Sequence, residues 1–363
     1  MKLFTAIVAL GLGAIVAINR SVDVAGLDTF DLVTDLANRQ GPDELVVWDH
    51  LFDQRAWLKA KLVAPGGCPA LLILGSSTVG ALRQDMFGTR RILNGWLSAP
   101  SIEDFEALTN VLRQARCRPE AIVLGVDHWL VNAAFTDQRW LSLFDDYVAY
   151  HEHGGSFRFV LEAGRRWNLF KEQLNFATTR ATVEYLWRSR GETITSRPAL
   201  VRMSPDALCA TISTASFIRA NDGHYVSCAS FLPSQDEVDA IARNYVNNNG
   251  HEIRNWKEVD PDRIRRLEQV VRAWNAQGVR VVVLAPAFHP LVYAAFRADA
   301  PIRKRLDALD RALAALERQG IAIFVNARDP ASIGCLATDF EDSHHGRPEC
   351  SRNTAVRLAT VLR

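Results

Sequence analysis

The chain has 363 residues, 48% of them hydrophobic and 23% charged, with a formal net charge of +1. That length exceeds one average domain and fits a single α/β domain carrying an insertion. Acidic and basic residues are interspersed, with no basic stripe or aromatic-rich patch, so a nucleic-acid partner has no electrostatic footprint.

Met1 and Lys2 precede LFTAIVALGLGAIVAI, an uncharged apolar run from Leu3 to Ile18, which Asn19 and Arg20 close. A short positive start followed by an apolar core is the layout of a secretory signal. The run is slightly short for a span, which tilt or local thinning accommodates. Ala17 offers a small residue for cleavage, but Ile15 two positions earlier makes a poor A-x-A site. Residues 1–20 are therefore read as an uncleaved signal anchor, with a cleaved signal and a buried N-terminal helix as the alternatives. This reading places the chain in the inner (cytoplasmic) membrane as a single-pass protein, the part after the anchor lying in the periplasm or outside the cell. No cysteine follows closely enough for a lipid anchor.

Residues 21–64 read as a helical stalk or extension, with Leu45, Val46, Trp48, Leu51, Phe52, Trp57 and Leu58 at helix-like intervals after Pro42 and Asp43. PALLILGSS (69–77), ILNG (92–95), EAIVLGV (120–126), VRVVVLAP (279–286) and IAIFVNA (321–327) read as five strands. Amphipathic helices at 102–115, 262–278 and 301–320 separate several of them, the last ended by Gly320. Continuously apolar strands alternating with helices predict a parallel sheet covered on both faces, a doubly wound, flavodoxin-like α/β fold. Residues 65–127 and 251–363 make this domain. Residues 128–250 break its rhythm and read as a long insertion after the third strand, helical first and loop-rich or hairpin-like later, suited to forming substrate walls.

In such folds the site lies at the carboxyl ends of the strands. Ser77 follows the first strand in a turn that Gly75 permits, where helix N-terminal N–H groups can stand beside its hydroxyl. A serine there also serves as an ordinary helix cap. DSHH (342–345) lies beyond the fifth strand. An aspartate and a histidine three apart on a turn can pair carboxylate with one ring nitrogen and aim the other at a serine. The joint placement is far more restrictive than either motif alone.

With these residues the chain resembles the SGNH or GDSL hydrolases. LLILGSSTVG matches the nucleophile block and DSHH the final block. NGWLSAPSIEDF (94–105) looks like the second block, with Asn94 at its head and Ala99 where the oxyanion-hole glycine is expected. VLGVDHW (123–129) aligns with the third, with Asp127 where an oxyanion-stabilising asparagine is usual. The resemblance implies a Ser77, Asp342, His345 triad, an acyl-enzyme on Ser77, and backbone donors at Ser77 and Ala99. A carboxylate at Asp127 opposes a developing oxyanion, and Ala99 serves only if its φ tolerates a Cβ. APAFHP (285–290), RANDGHYVS (219–227) and the anchor resemble, more narrowly, the SGNH-like proteins that accompany membrane-bound O-acyltransferases in polysaccharide O-acetylation. That implies a polysaccharide or acylated sugar as substrate and such an acyltransferase as partner, with no cofactor.

His344 is a rival base to His345. His151 and His153 with His344 could suggest a metal, though a solvated helix end is the plainer account, and no metal is expected. His289 is read as either substrate-contacting or loop-capping. Asp222 and His224 are substrate candidates beside a turn-forming ANDG. Trp96, Trp129 and Trp140 are candidates for sugar stacking, with core and wall roles the commoner outcome. The six cysteines contain no C-x-x-C pair and permit disulfides in an exported chain. In a 2-1-3-4-5 sheet strands one and three are neighbours, which pairs Cys68 with Cys117. Cys335 with Cys350 would bracket the DSHH loop, and Cys209 with Cys228 would close part of the insertion. The expected activity is an O-acyl or O-acetyl transferase or esterase. A catalytically weak SGNH-shaped binding or assembly subunit is the rival, and a soluble lipid or arylester hydrolase is third.

Overall fold

The computed structural model describes residues 10–19, 30–48, 52–135, 137–151, 198–212 and 217–362, with isolated positions between 159 and 187. In chain order the strands are β1 (Leu45–Trp48), β2 (Leu71–Ser76), β3 (Ile92–Leu97), β4 (Ala121–Gly125), β5 (Ala199–Val201), β6 (Phe217–Arg219), β7 (Arg280–Ala285) and β8 (Ile323–Asn326).

Five of them form one parallel sheet in the order β3-β2-β4-β7-β8. Strands β2, β3 and β4 are buried along their whole length, which is why their sequence is apolar without alternation. The five apolar runs are the five strands, in the 2-1-3-4-5 order. Helix Ile102–Gln114 packs on Pro261–Asn275, and Arg272 Nη2 reaches Gln319 Oε1 (2.7 Å) at the end of Ala300–Arg318. Right-handed crossovers put these three connecting helices on one face. Helix Pro348–Val361 packs against β8 and the turn Gln84–Met86. A buried ion pair, Arg55 Nε to Asp104 Oδ1 (2.6 Å), locks helix Gln54–Val63 to Ile102–Gln114.

Residues 45–48 are not helical. Val46–Trp48 pair antiparallel with β6 and Leu45–Val47 with β5, giving a three-stranded sheet in the order β5-β1-β6. A β-branched and aromatic run of four suits a strand, and its partners lie some 150 residues on, beyond the reach of periodicity. Of the residues read at helix-like intervals, Trp57 and Leu58 lie in helix Gln54–Val63, and a further helix, Phe30–Arg39, precedes β1. The extension and the later insertion are thus interleaved. Leu45, Leu208, Ile218, Ala220, Val226 and Cys228 form a small separate core there.

This small sheet covers the exposed edge of β3. Asn94 N donates to Asp222 O (2.6 Å), Trp96 Nε1 to Gly223 O (3.0 Å), and Arg219 Nη2 to Trp96 O (2.7 Å). Edge strands left bare invite wrong pairing, and this contact removes the edge. Gly223 (φ +89°) is required, because a Cβ there would fall 2.0 Å from Asn94 O. Arg219 is fully buried and has no acidic partner among the described residues. Its guanidinium lies 4.6 Å from the Trp57 ring and 4.3 Å from the Trp96 ring, and burial lowers its pKa to about 9. Two aromatic faces are what a desolvated cation receives here.

The three expected disulfides form. Cα–Cα distances are 5.1 Å for Cys68–Cys117, 5.3 Å for Cys209–Cys228 and 5.1 Å for Cys335–Cys350. Residues 10–19 are helical, but among the described residues no helix is long and apolar enough to cross a membrane. The expected anchor falls partly on residues 1–9 and 20, outside the described set, as does most of the second helical segment of the insertion, residues 157–174.

Candidate active site

β2 ends at Ser76, and Ser77 opens a short 3-10 turn, Ser77–Val79, capped by the Ser76 hydroxyl, which accepts from Thr78 N (3.1 Å). The turn is possible because Gly75 takes φ +146° and a Cβ there would meet the Gly125 backbone at 3.1–3.2 Å. Glycine is therefore dictated twice, by conformation and by close approach. The serine stands at the carboxyl end of β2, between β3 and β4.

The DSHH segment is the tip of a hairpin. Phe340 bridges Gly346 antiparallel, Glu341 N donates to His345 O (2.9 Å), and Arg347 N to Asp339 O (2.8 Å). Cys335–Cys350 closes its base. At the tip, Asp342 Oδ1 accepts from the N–H groups of His344 (2.8 Å) and His345 (2.9 Å). Asp342 Oδ2 pairs with His345 Nδ1 at 2.6 Å, and His345 Nε2 with Ser77 Oγ at 2.7 Å. An acid, an imidazole and a hydroxyl from opposite ends of the chain thus form one continuous hydrogen-bond chain. Orienter, base and nucleophile each have the partner their role needs.

Electrostatics favour the same assignment. Burial would raise the Asp342 carboxyl, but His345 outweighs it and holds the pKa far below the usual range. Burial works against a charged His345, yet Asp342 first, then Glu341 and Asp127, leave its pKa above the ordinary imidazole value. His344, the rival base, is different. It is buried, its Nδ1 bonds Ser343 Oγ (2.7 Å), and burial keeps it neutral. Asp342, His344 and His345 also bring three potential metal-ligand atoms within 4.8 Å of one another. In this arrangement Asp342 and His345 bond each other and His344 bonds Ser343. His151 lies elsewhere, 3.2 Å from Glu106, and His153 is outside the described residues.

The oxyanion candidates separate. β2 and β3 run in register from Leu71↔Ile92 to Ser76↔Leu97, so Ala99 sits just past the same sheet edge as Ser77. It holds φ +42°, a left-handed conformation that normally falls to glycine and costs alanine about 1–2 kcal/mol. The chain retains a glycine's backbone with a Cβ attached. Asp127 lies at the end of β4, 5% exposed. Thr78 Oγ1 donates to its Oδ2 (3.5 Å), and that hydroxyl also bonds Ser76 Oγ (2.8 Å). Burial raises the Asp127 pKa to about 6. Asn94 is not at the cleft. Fully buried, its Nδ2 ties the carbonyls of Val79 (2.8 Å) and Leu82 (2.7 Å), so it fixes the segment after the serine.

The six residues considered for substrate contact have structural posts. His289 is buried, caps helix Pro290–Ala298 through Nδ1 (Leu291 N, 3.2 Å), and donates its backbone N–H to Ser343 O (3.0 Å). A proline-led helix start needs a cap, and this one props the catalytic hairpin. Asp222 accepts from Gln84 N (2.9 Å) and pairs with His224 (2.5 Å) at the covered β3 edge. Trp129 is 2% exposed and stacks on His251 at 4.2 Å. Trp96 is likewise core, while Trp140 stacks on Tyr147 at 4.7 Å.

Sequence reasoning missed what surrounds the triad. His251 bonds Tyr245 OH (3.0 Å) and meets His344 edge-on at 5.0 Å. Burial, then His345, lowers its pKa to about 4. Asn249, His251 and Glu252 all adopt positive φ, strain that places the His251 ring. NNNGHE is rich in turn formers, the one signal available. Glu341, Ser227 and Tyr225 form a second overlooked group. Compared with models of protein families, with curated proteins and with solved structures, the chain matches none, so the geometry carries the functional argument.

Proposed function

We propose that the chain is an SGNH-like serine esterase or O-acyltransferase, acting on acyl, chiefly acetyl, groups of a cell-envelope or exported polysaccharide. The observation that carries this reading is the Asp342–His345–Ser77 hydrogen-bond chain. Ser77 Oγ attacks an ester carbonyl as His345 Nε2 takes its proton, and Asp342 stabilises the imidazolium. The leaving alcohol departs with that proton. Water or a sugar hydroxyl then gives its proton to His345 and attacks the acyl carbon, releasing Ser77. Backbone N–H groups at Ser77 and Ala99 are the proposed oxyanion donors, each worth about 2.7–4 kcal/mol when well placed.

Anchoring by residues 1–20 outside the cytoplasm and work beside a membrane-bound O-acyltransferase belong to the same proposal. Three disulfides that use all six cysteines support an oxidising compartment. Ala99 and a charged Asp127 favour a second reading, an SGNH-shaped binding subunit with little turnover. A fluorophosphonate probe separates the two. Labelling that Ser77→Ala abolishes supports the enzyme. A folded protein that neither labels nor cleaves acetyl esters supports the binding subunit.

A further inference from the structure

One carboxylate beside the triad has no part in it. Phe340 pairs with Gly346, so Glu341 stands directly opposite His345, and its N–H donates to His345 O (2.9 Å). Directly opposed residues of an antiparallel pair project to the same face, with Cβ atoms about 4.5–5.5 Å apart. The Glu341 side chain therefore shares the face from which His345 reaches Ser77.

The insertion holds it there. Ser227 Oγ donates to Glu341 Oε1. Two residues earlier, Tyr225 donates its N–H to Gly80 O (2.8 Å), just behind the serine turn, and meets Trp96 edge-on at 6.2 Å. Among the described residues Glu341 Oε2 has no hydrogen-bond partner, and it is not sealed from solvent. This arrangement is costly, since burial raises the Glu341 pKa and the Asp342 charge adds to the rise. Asp342 already orients His345, so the triad does not need a second acid. A carboxylate with one oxygen fixed and the other open, opposite His345 in the hairpin, is built to accept a hydrogen bond from something that enters the cleft.

We propose that Glu341 Oε2 binds the acceptor, accepting a hydrogen bond from a hydroxyl neighbouring the one that attacks the acyl-enzyme. The acceptor class is then a vicinal diol of a sugar, in preference to a simple alcohol. The assignment rests on the Ser77 acyl-enzyme proposed above. The attacking hydroxyl gives its proton to His345 Nε2, its oxygen bonds the acyl carbon, and Ser77 Oγ leaves and recovers the proton. The neighbouring hydroxyl keeps its proton and only donates the hydrogen bond.

The full chain in detergent, at pH 8 with p-nitrophenyl acetate as donor, is offered methyl glucoside or ethanol at equal concentration. Released nitrophenol reports acylation and mass spectrometry reports acetylated acceptor. The wild type is expected to favour the glucoside. Glu341→Gln should cut the glucoside-to-ethanol ratio about tenfold or more, the worth of a hydrogen bond to a charged group. Ser227→Ala, which frees the carboxylate but keeps it, should lower the ratio less and decides the matter if the glutamine variant does not fold. A wild type without preference, or a ratio unmoved by these variants, overturns the acceptor assignment while Ser77-dependent nitrophenol release leaves the enzyme reading standing. Absence of that release overturns both.

Discussion

Replacing Asp127 by asparagine tests the least comfortable residue of the site. Asp127 is buried, and its pKa is raised from 3.8 to about 6, chiefly by burial. A carboxyl whose folded pKa lies above its unfolded value contributes most favourably at low pH and loses that contribution as pH rises through the folded value. Linkage over that shift makes the ionised group cost the fold about 3 kcal/mol at pH 7 and about half of that at pH 5. Asparagine has similar size, and the hydroxyls of Ser76 and Thr78 can accept from its amide. Asp127→Asn should therefore raise unfolding free energy in urea, with a gain at pH 7 roughly twice that at pH 5. Catalysis should move the same way. At pH 7 only about one molecule in ten carries the Asp127 proton, so an amide supplies a neutral donor where a carboxylate repels the oxyanion. Turnover of p-nitrophenyl acetate at pH 8 should rise by about tenfold or more. A variant no more stable at pH 7 than the parent, or one with lower activity at pH 8, would show that the ionised carboxylate is needed and refute this account.

The acid limb of kcat/KM should lie above pH 6.5. His345 acts as a base only when neutral, and Asp342 raises its pKa over the opposing effect of burial; a limb at or below 6.5 in the ester assay contradicts this. The stability from the same pair is full below pH 6.5 and lost as pH rises through the raised value. Cys335→Ser with Cys350→Ser opens a loop of 15 residues' separation and should cost roughly 3 kcal/mol in urea unfolding. It should reduce probe labelling too, since that loop carries His345; full labelling would show that the hairpin positions itself unaided. Gly75→Ala should cost about 1–3 kcal/mol for a forbidden φ and displace Ser77, so loss of labelling should accompany lower thermal stability.

The sheet and the triad were readable from sequence because each rests on local signals. Five apolar runs bounded by turns and helices define a parallel sheet, and a serine after the first strand with D-x-x-H after the last defines two strand ends. Their meeting follows from the rule that strand ends of such a sheet share one edge. β1 was not readable: four residues between two helices read as helix, and its partners lie in the insertion. Asn94, Asp222, His224 and His289 drew attention as polar residues in motif-like settings. Their actual work is satisfying backbone groups at a covered strand edge and a helix start, a use of buried polar side chains that sequence does not distinguish from binding. His251 escaped notice because its place depends on three left-handed residues rather than on any motif.

Ala99 and Asp127 look like two defects of one oxyanion site, yet the structure gives them different weights. Ala99 holds a left-handed φ of +42°, a conformation that glycine adopts freely and that costs a residue with a Cβ a modest strain. Under the proposed mechanism Asp127 puts a carboxylate at the position assigned to an oxyanion donor, and at neutral pH that carboxylate is mostly charged. The proposed ester turnover then depends on the Asp127 proton. At lower pH Asp127 gains its proton while His345, whose pKa is raised partly by Asp127 itself, loses its capacity as a base. The two requirements oppose each other, so activity should be confined to a narrow pH window unless another group supplies the donor. A broad pH optimum in the wild type would mean that backbone donors suffice and that Asp127 serves the nucleophile turn through Thr78 and Ser76 rather than the oxyanion.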